Sequence, residues 1–208
     1  DEAEKLRAKK KWRQAGRCIE QAFVLSADCV AAHLAAGRLA LSLRRIEDAD
    51  RHLGEALRLN PRAHIQKDLG WIAAEKGDSA KAISLLTDHL QREAADYEAY
   101  NLLLMCFYMS GQYEAGEDIA RLAMEHHAPS DCFRNNWLIC RLLRGAYGEK
   151  EWVAEMLEGA ANPFIDFNLF LITEEPKSWE ANGPSTLKSK LLYQDYRFGL
   201  RNSGAGRN

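Results

Sequence analysis

The sequence has no long apolar run. The run from Phe164 to Ile172 is interrupted by Asp166 and Asn168, and no stretch approaches the roughly 18 uninterrupted apolar residues that a membrane span needs. No signal peptide opens the chain. Charge of one sign is also missing. A formal net charge of −2 supplies no global attraction to nucleic acid or to an anionic membrane, so neither is expected as a partner. Cysteines number five, an odd count without tight regular spacing, which fits a reducing compartment, the cytoplasm, better than a disulfide framework. Also lacking are a glycine-rich phosphate loop, a G-x-S-x-G elbow, a dinucleotide fingerprint, an HExxH and a paired CxxC. Phosphate-loop, hydrolase, dehydrogenase and zinc chemistry therefore have no sequence support, and neither a cofactor nor a metal is expected.

What is present is a period. Gly37, Ala49, Ala56 and Pro61 recur as Gly70, Ala82, His89 and Ala94, and again as Leu104, Gly116, Ala123 and Ala128. Gly37 to Gly70 is 33 residues and Gly70 to Leu104 is 34. A half copy lies upstream at Ala15, Ala22 and Ala27. With 47% hydrophobic and 28% charged residues the chain has enough apolar content for a real core. A unit of this size must bury its apolar face against a neighbour, so the period predicts a stacked array of helical hairpins and favours binding over chemistry. The chain starts at Asp1 without a methionine, partway through a copy, and is expected to be an excised or processed fragment.

Within the clearest copy, a first helix carries Leu34, Ala36, Gly37 and Ala40 and is closed by Arg44 and Arg45. A second, from about Glu47 to Leu59, carries Ala49, Leu53, Ala56 and Leu57. The spacing marks one buried stripe on each helix, and the small residues let the two axes approach. Asn60-Pro61 ends the pair. Lys76-Gly77-Asp78 and Ser110-Gly111 are the corresponding turns in the next copies.

These residues resemble tetratricopeptide repeats: the small residue of the first helix (Gly37, Gly70), the alanine opening the second (Ala49, Ala82), a further alanine (Ala56, Ala123) and the closing proline (Pro61, Pro129). His89, Leu104 and Gly116 depart from that pattern. The resemblance implies an all-α, right-handed solenoid of antiparallel helical hairpins. The expected organisation is a partial repeat over 1–29, repeats over 30–62, 63–96 and 97–130, and a divergent fourth hairpin over 131–161. Capping helices, a loop and a mobile tail follow over 162–208. The cap includes a helix or strand at Phe164 to Ile172, a loop over Glu174 to Pro184 and a last helix from Thr186 to Phe198.

The resemblance also places first helices on the inner, concave surface. The residues there that avoid the packing stripe are Leu34, Arg38 and Leu41, then Lys67 and Trp71, then Asn101, Met105 and Tyr108, then Asn135. Trp71, Met105 and Tyr108 suggest an adaptable apolar platform. Arg38, Lys67, Asn101 and Asn135 suggest donors for the carbonyls or carboxylate of an extended peptide. Burial of Trp71 and Met105 under adjacent helices is the alternative. The expected function is a non-catalytic protein–protein interaction scaffold that binds a peptide or partner segment in its groove. The alternative is a substrate-recruiting or regulatory region of a larger enzyme, such as an O-linked sugar transferase-like protein. Self-association through the array ends is a third possibility. His126-His127 point too far apart to share an ion, Cys132 and Cys140 read as buried apolar side chains, and Glu149, Glu151, Glu155 and Glu158 read as a solvated helix face.

Overall fold

The computed structural model describes residues 2–126 and 131–145, Ile165, Asn168, 192–195 and 199–202. They form an all-α repeat fold of helices α1 (Glu2–Ala8), α2 (Trp12–Leu25), α3 (Val30–Ser42), α4 (Ile46–Leu59), α5 (Gln66–Glu75), α6 (Ser79–Leu90), α7 (Tyr97–Ser110), α8 (Tyr113–His126) and α9 (Asp131–Leu143). Two short strands follow, β1 (Leu192–Asp195) and β2 (Gly199–Asn202). The chain divides into two compact units, Asp1–His89 and Leu90–Asn208.

In the first unit α1 pairs with α2 and α3 with α4, and the first helices α1, α3 and α5 are neighbours. In the second, α7 pairs with α8, α8 packs on α9, and α7 neighbours α9. Each hairpin turns at the same register position. Lys10, Arg44, Gly77, Gly111 and Gly145 all have positive φ, from 55° to 88°. In four of these turns the amide after the left-handed residue donates to the carbonyl five residues back: Lys11 to Leu6, Arg45 to Ala40, Asp78 to Ala73 and Gln112 to Phe107, at 2.8–2.9 Å. This is the Schellman termination, which satisfies carbonyls that the helix end leaves open. Arg44, read from sequence as a helix-closing residue, occupies the place that glycine holds in the next three turns.

Caps define the other ends. Asp96 accepts a 3.0 Å hydrogen bond from the Ala99 amide at the start of α7, and Asp78 accepts one from the Lys81 amide at the start of α6. Asn60 adopts extended backbone after α4 and its side chain accepts from the Arg62 amide.

The core lies where the small residues bring the helices together. A β-carbon built on Gly37 would stand 2.6 Å from Leu53 Cγ, and one on Gly70 would stand 2.8 Å from Leu86 Cγ. Both leucines are fully buried. In the third copy the sizes reverse: Leu104 holds the glycine position and Ala120 the leucine position, both fully buried. Leu104 Cδ1 then lies 3.5 Å from where a β-carbon on Gly116 would be, and Cys140 Sγ lies 2.9 Å from it. The two departures from the repeat pattern therefore compensate: Gly116 gives up its methyl where Leu104 and α9 need the room.

The last helix expected from Thr186 to Phe198 is corrected. Leu192 to Asp195 pairs antiparallel with Gly199 to Asn202, Tyr193 opposite Arg201. Leucine and aromatic content suits a strand as well as a helix, and pairing with the second segment decides. Ile165 and Asn168 are helical. The rest of the Phe164 to Ile172 segment, the second helix of the fourth hairpin with its glutamates, Pro129, the loop over Glu174 to Pro184 and the tail lie outside the described residues.

Candidate functional site

The face expected to meet a ligand is carried by α3 and α5 in the first unit and by α7 and α9 in the second. Of its nine residues, Leu34, Arg38 and Lys67 are half-buried. Leu41, Trp71, Asn101, Met105, Tyr108 and Asn135 are buried, Trp71 at 6% exposure and Asn135 at 0%. An open platform of Trp71, Met105 and Tyr108 is therefore not what these side chains form. First helices of adjacent hairpins lie side by side, so a residue turned from its own hairpin partner meets the neighbouring first helix instead of solvent.

In the first unit, Arg38 Nε donates to Asp68 Oδ2 at 3.0 Å and Arg38 Nη1 lies 3.6 Å from Glu4 Oε1. This links α3 to α5 and α1. Burial pulls the Arg38 pKa down, but Asp68 and Glu4 outweigh it and the net shift is upward, so the guanidinium stays charged. The Asp68 side chain is 6% exposed and that of Arg38 33%; the carboxylate is inside and its counter-charge reaches the surface. Arg44 makes a parallel link with its Nη2 2.9 Å from Oε2 of Glu75, whose side chain is 4% exposed.

In the second unit the polar residues form a buried chain. Asn168 Nδ2 donates to Asn135 Oδ1 at 2.9 Å, and Asn135 Nδ2 donates to Asn136 Oδ1 at 3.2 Å. Asn136 Nδ2 lies 3.8 Å from Cys132 Sγ, whose thiol is 3.7 Å from Asn101 Oδ1. Asn101, Asn135 and Asn168 are 2% exposed or less and fall 34 and 33 residues apart. The Asn135 and Asn168 amides bond each other directly and Asn101 joins the chain through Cys132 and Asn136, so these side chains have partners, as buried polar groups must. Nearby, Arg141 pairs with Glu117 and Arg144 Nη2 lies 3.0 Å from Glu117 Oε2, so these charges tie α9 to α8, while the Arg141 guanidinium lies 5.6 Å from the ring centroid of Trp137, one turn back on α9 itself.

Sequence reasoning missed Asp68 and Glu4 as partners of Arg38, because those contacts cross hairpins. It also missed Asn168 and Cys132 as members of the chain, although the recurrence of Asn101, Asn135 and Asn168 was a signal. A second omission was the pair His33 and His52, on α3 and α4, with Nδ1 atoms 3.2 Å apart. Among the described residues no group of three His, Cys, Asp or Glu side chains is arranged to hold an ion, and no helix is long and apolar enough to cross a membrane.

No protein-family model matches the chain. In sequence it is similar to human tetratricopeptide repeat protein 7A, 31% identical over 119 residues, which is 57% of this chain and 14% of that protein. The chain therefore spans only about a seventh of the curated relative it matches. In structure it is similar to PilW, a widely conserved type IV pilus biogenesis factor, with a TM-score of 0.67 at 17% identity over 91% of this chain and 88% of that one. It is also similar to YrrB, described as a TPR protein with an unusual peptide-binding site, with a TM-score of 0.56 at 18% identity over 74% of this chain and 79% of that one. Helical hairpins with a period of 33 to 34 residues, these structural likenesses and the named sequence relative agree: the chain has the tetratricopeptide-repeat fold and resembles proteins of that family in sequence.

Proposed function

We propose that the chain is a non-catalytic protein–protein interaction module that takes an extended segment of a partner protein along the first helices of its hairpins. The observation that carries this reading is the row Leu34, Arg38 and Lys67, half-buried on the neighbouring helices α3 and α5. An apolar contact stands there beside two cationic side chains. Arg38 keeps a third of its side-chain surface in solvent, and a guanidinium has five N–H donors, more than its contacts to Asp68 and Glu4 use. Such donors suit peptide carbonyls. The peptide-binding site attributed to YrrB supports the reading as an example of what this fold can do. The cytoplasm is the compartment this function expects, with none of the five cysteines in a disulfide. Recruitment of substrates to a larger enzyme would use the same face.

The test is selection of peptides from a random library on the full chain, followed by fluorescence anisotropy with a selected peptide. Lys67→Glu and Leu34→Asp should each weaken binding about tenfold, or about 1.4 kcal/mol, with far-UV circular dichroism unchanged. Unchanged affinity in both variants would remove this face from consideration. Trp71→Ala is not a suitable probe, because the ring is buried and its loss acts through folding.

A further inference from the structure

We propose that His33 and His52 form a binding site for a divalent transition metal ion, of the class zinc, nickel or copper(II), that clamps α3 to α4. The two residues stand 19 apart in sequence on opposite arms of one hairpin, with Nδ1 atoms 3.2 Å apart. Two imidazole nitrogens that share a tetrahedral zinc, each about 2.0–2.1 Å from it, are about 3.4 Å from each other. The free protein already holds the two donor atoms at nearly that separation.

The tautomers favour the same atoms. His33 Nε2 lies 3.2 Å from the Ala27 carbonyl oxygen, which only accepts, so the ring proton is on Nε2 and the lone pair is on Nδ1. A ligating histidine commonly has this second hydrogen bond, which fixes the ring and raises its basicity. In the metal-free protein His52 Nδ1–H donates to His33 Nδ1. When an aquated ion enters, the His52 proton moves from Nδ1 to Nε2, two waters leave the ion, and two nitrogen–metal bonds replace the hydrogen bond.

Phe23 holds both rings from one side. Its ring meets His33 edge-on at 4.9 Å between centroids and stacks on His52 at 5.9 Å. Both imidazoles are only half-buried, so solvent reaches them and water completes the coordination. Burial, Arg51 and His33 lower the His52 pKa against the opposing pull of Asp48, which keeps that ring in the neutral form a metal requires. Asp48 and Glu55 are already engaged by Arg51 and Arg58. An all-imidazole site of this kind selects nitrogen-preferring ions over magnesium or calcium.

The experiment titrates the full chain separately with zinc, nickel and magnesium chloride up to millimolar concentration. Binding is followed by calorimetry and melting, and the coordinating atoms by imidazole nitrogen NMR. The expected result is one zinc or nickel ion per chain, a raised melting temperature, no response to magnesium, and perturbation of Nδ1 rather than Nε2 in both rings. His33→Ala and His52→Ala should each weaken binding about tenfold or more, and His126→Ala should not. The NMR on the unsubstituted chain decides the matter even if a variant folds poorly. No zinc or nickel binding, binding through Nε2, zinc held by the thiols alone, or affinity indifferent to both substitutions would overturn the proposal.

Discussion

Gly37→Ala and Gly54→Ala add the same methyl group to the two arms of one hairpin and should move stability in opposite directions. At Gly54, exposed on α4, the new carbon meets nothing within 4 Å. The substitution therefore gains only helix propensity, about 1 kcal/mol. At Gly37 the new carbon would stand 2.6 Å from Leu53 Cγ and 2.8 Å from Leu53 Cδ2. The obstruction includes the branch point of a fully buried side chain, so Leu53 or the helix itself must shift. Overpacking of this kind costs about 1–3 kcal/mol. The upper part of that range applies, and after the propensity gain a net loss of about 1–2 kcal/mol remains. For a chain of this size that is about 2–8 °C in melting temperature, against a rise of about 2–4 °C for Gly54→Ala. Thermal unfolding followed by circular dichroism measures both. A cycle adds the mechanism. Leu53→Ala alone should cost about 2–5 kcal/mol, and in that background Gly37→Ala should stop being harmful, a coupling of about 1–3 kcal/mol. If Gly37→Ala stabilises as much as Gly54→Ala, or if the two substitutions are additive, the close helix approach is not what glycine provides there.

Gly77 tests backbone rather than packing: its φ is 84° and a β-carbon there meets nothing within 4 Å, so Gly77→Ala should lose about 1 kcal/mol in urea unfolding from the left-handed conformation alone. Arg38→Met should destabilise by about 2 kcal/mol because it removes the counter-charge that Arg38 gives the buried Asp68 carboxylate, and Asp68→Leu in the same chain should recover part of that loss. Asn135→Leu should cost about 2 kcal/mol, because Asn168 and Asn136 lose their partner in a place without water; hydrogen exchange of α9 should accelerate with it. His52 sets a pH dependence. Its folded pKa is depressed, so as pH falls below about 6.5 the unfolded chain takes up the proton first. Stability should therefore decline through that window, and His52→Gln should flatten the decline in urea titrations at a series of pH values.

The repeat was legible because its signal is local. Gly37, Ala49 and Ala56 mark contacts within one hairpin, and helical spacing places them without knowledge of any other unit. The turns were legible where glycine marks them, at Gly77 and Gly111, and the left-handed backbone at Arg44 was not, because arginine carries no such mark. Burial along the first helices depends on the neighbouring hairpin. A single-helix argument therefore holds Trp71 and Tyr108 open when they are covered. Arg38 with Asp68, and Asn135 with Asn168, are partners 30 and 33 residues apart, and nothing at one position alone announces the other. The strand pair near the end was missed for a different reason: leucine and tyrosine populate either conformation, and pairing with a second segment decides.

The exchange of bulk between Gly37 with Leu53 and Leu104 with Ala120 makes the hairpins non-interchangeable. A first arm from one unit docked on the second arm of the other would oppose leucine to leucine, or glycine to alanine with a void between them. During synthesis, when several similar arms are available to one another, that mismatch penalises the wrong partner and leaves each arm with its own sequence neighbour. A chimera that shuffles arms between these units should misfold, and one that moves whole hairpins should not.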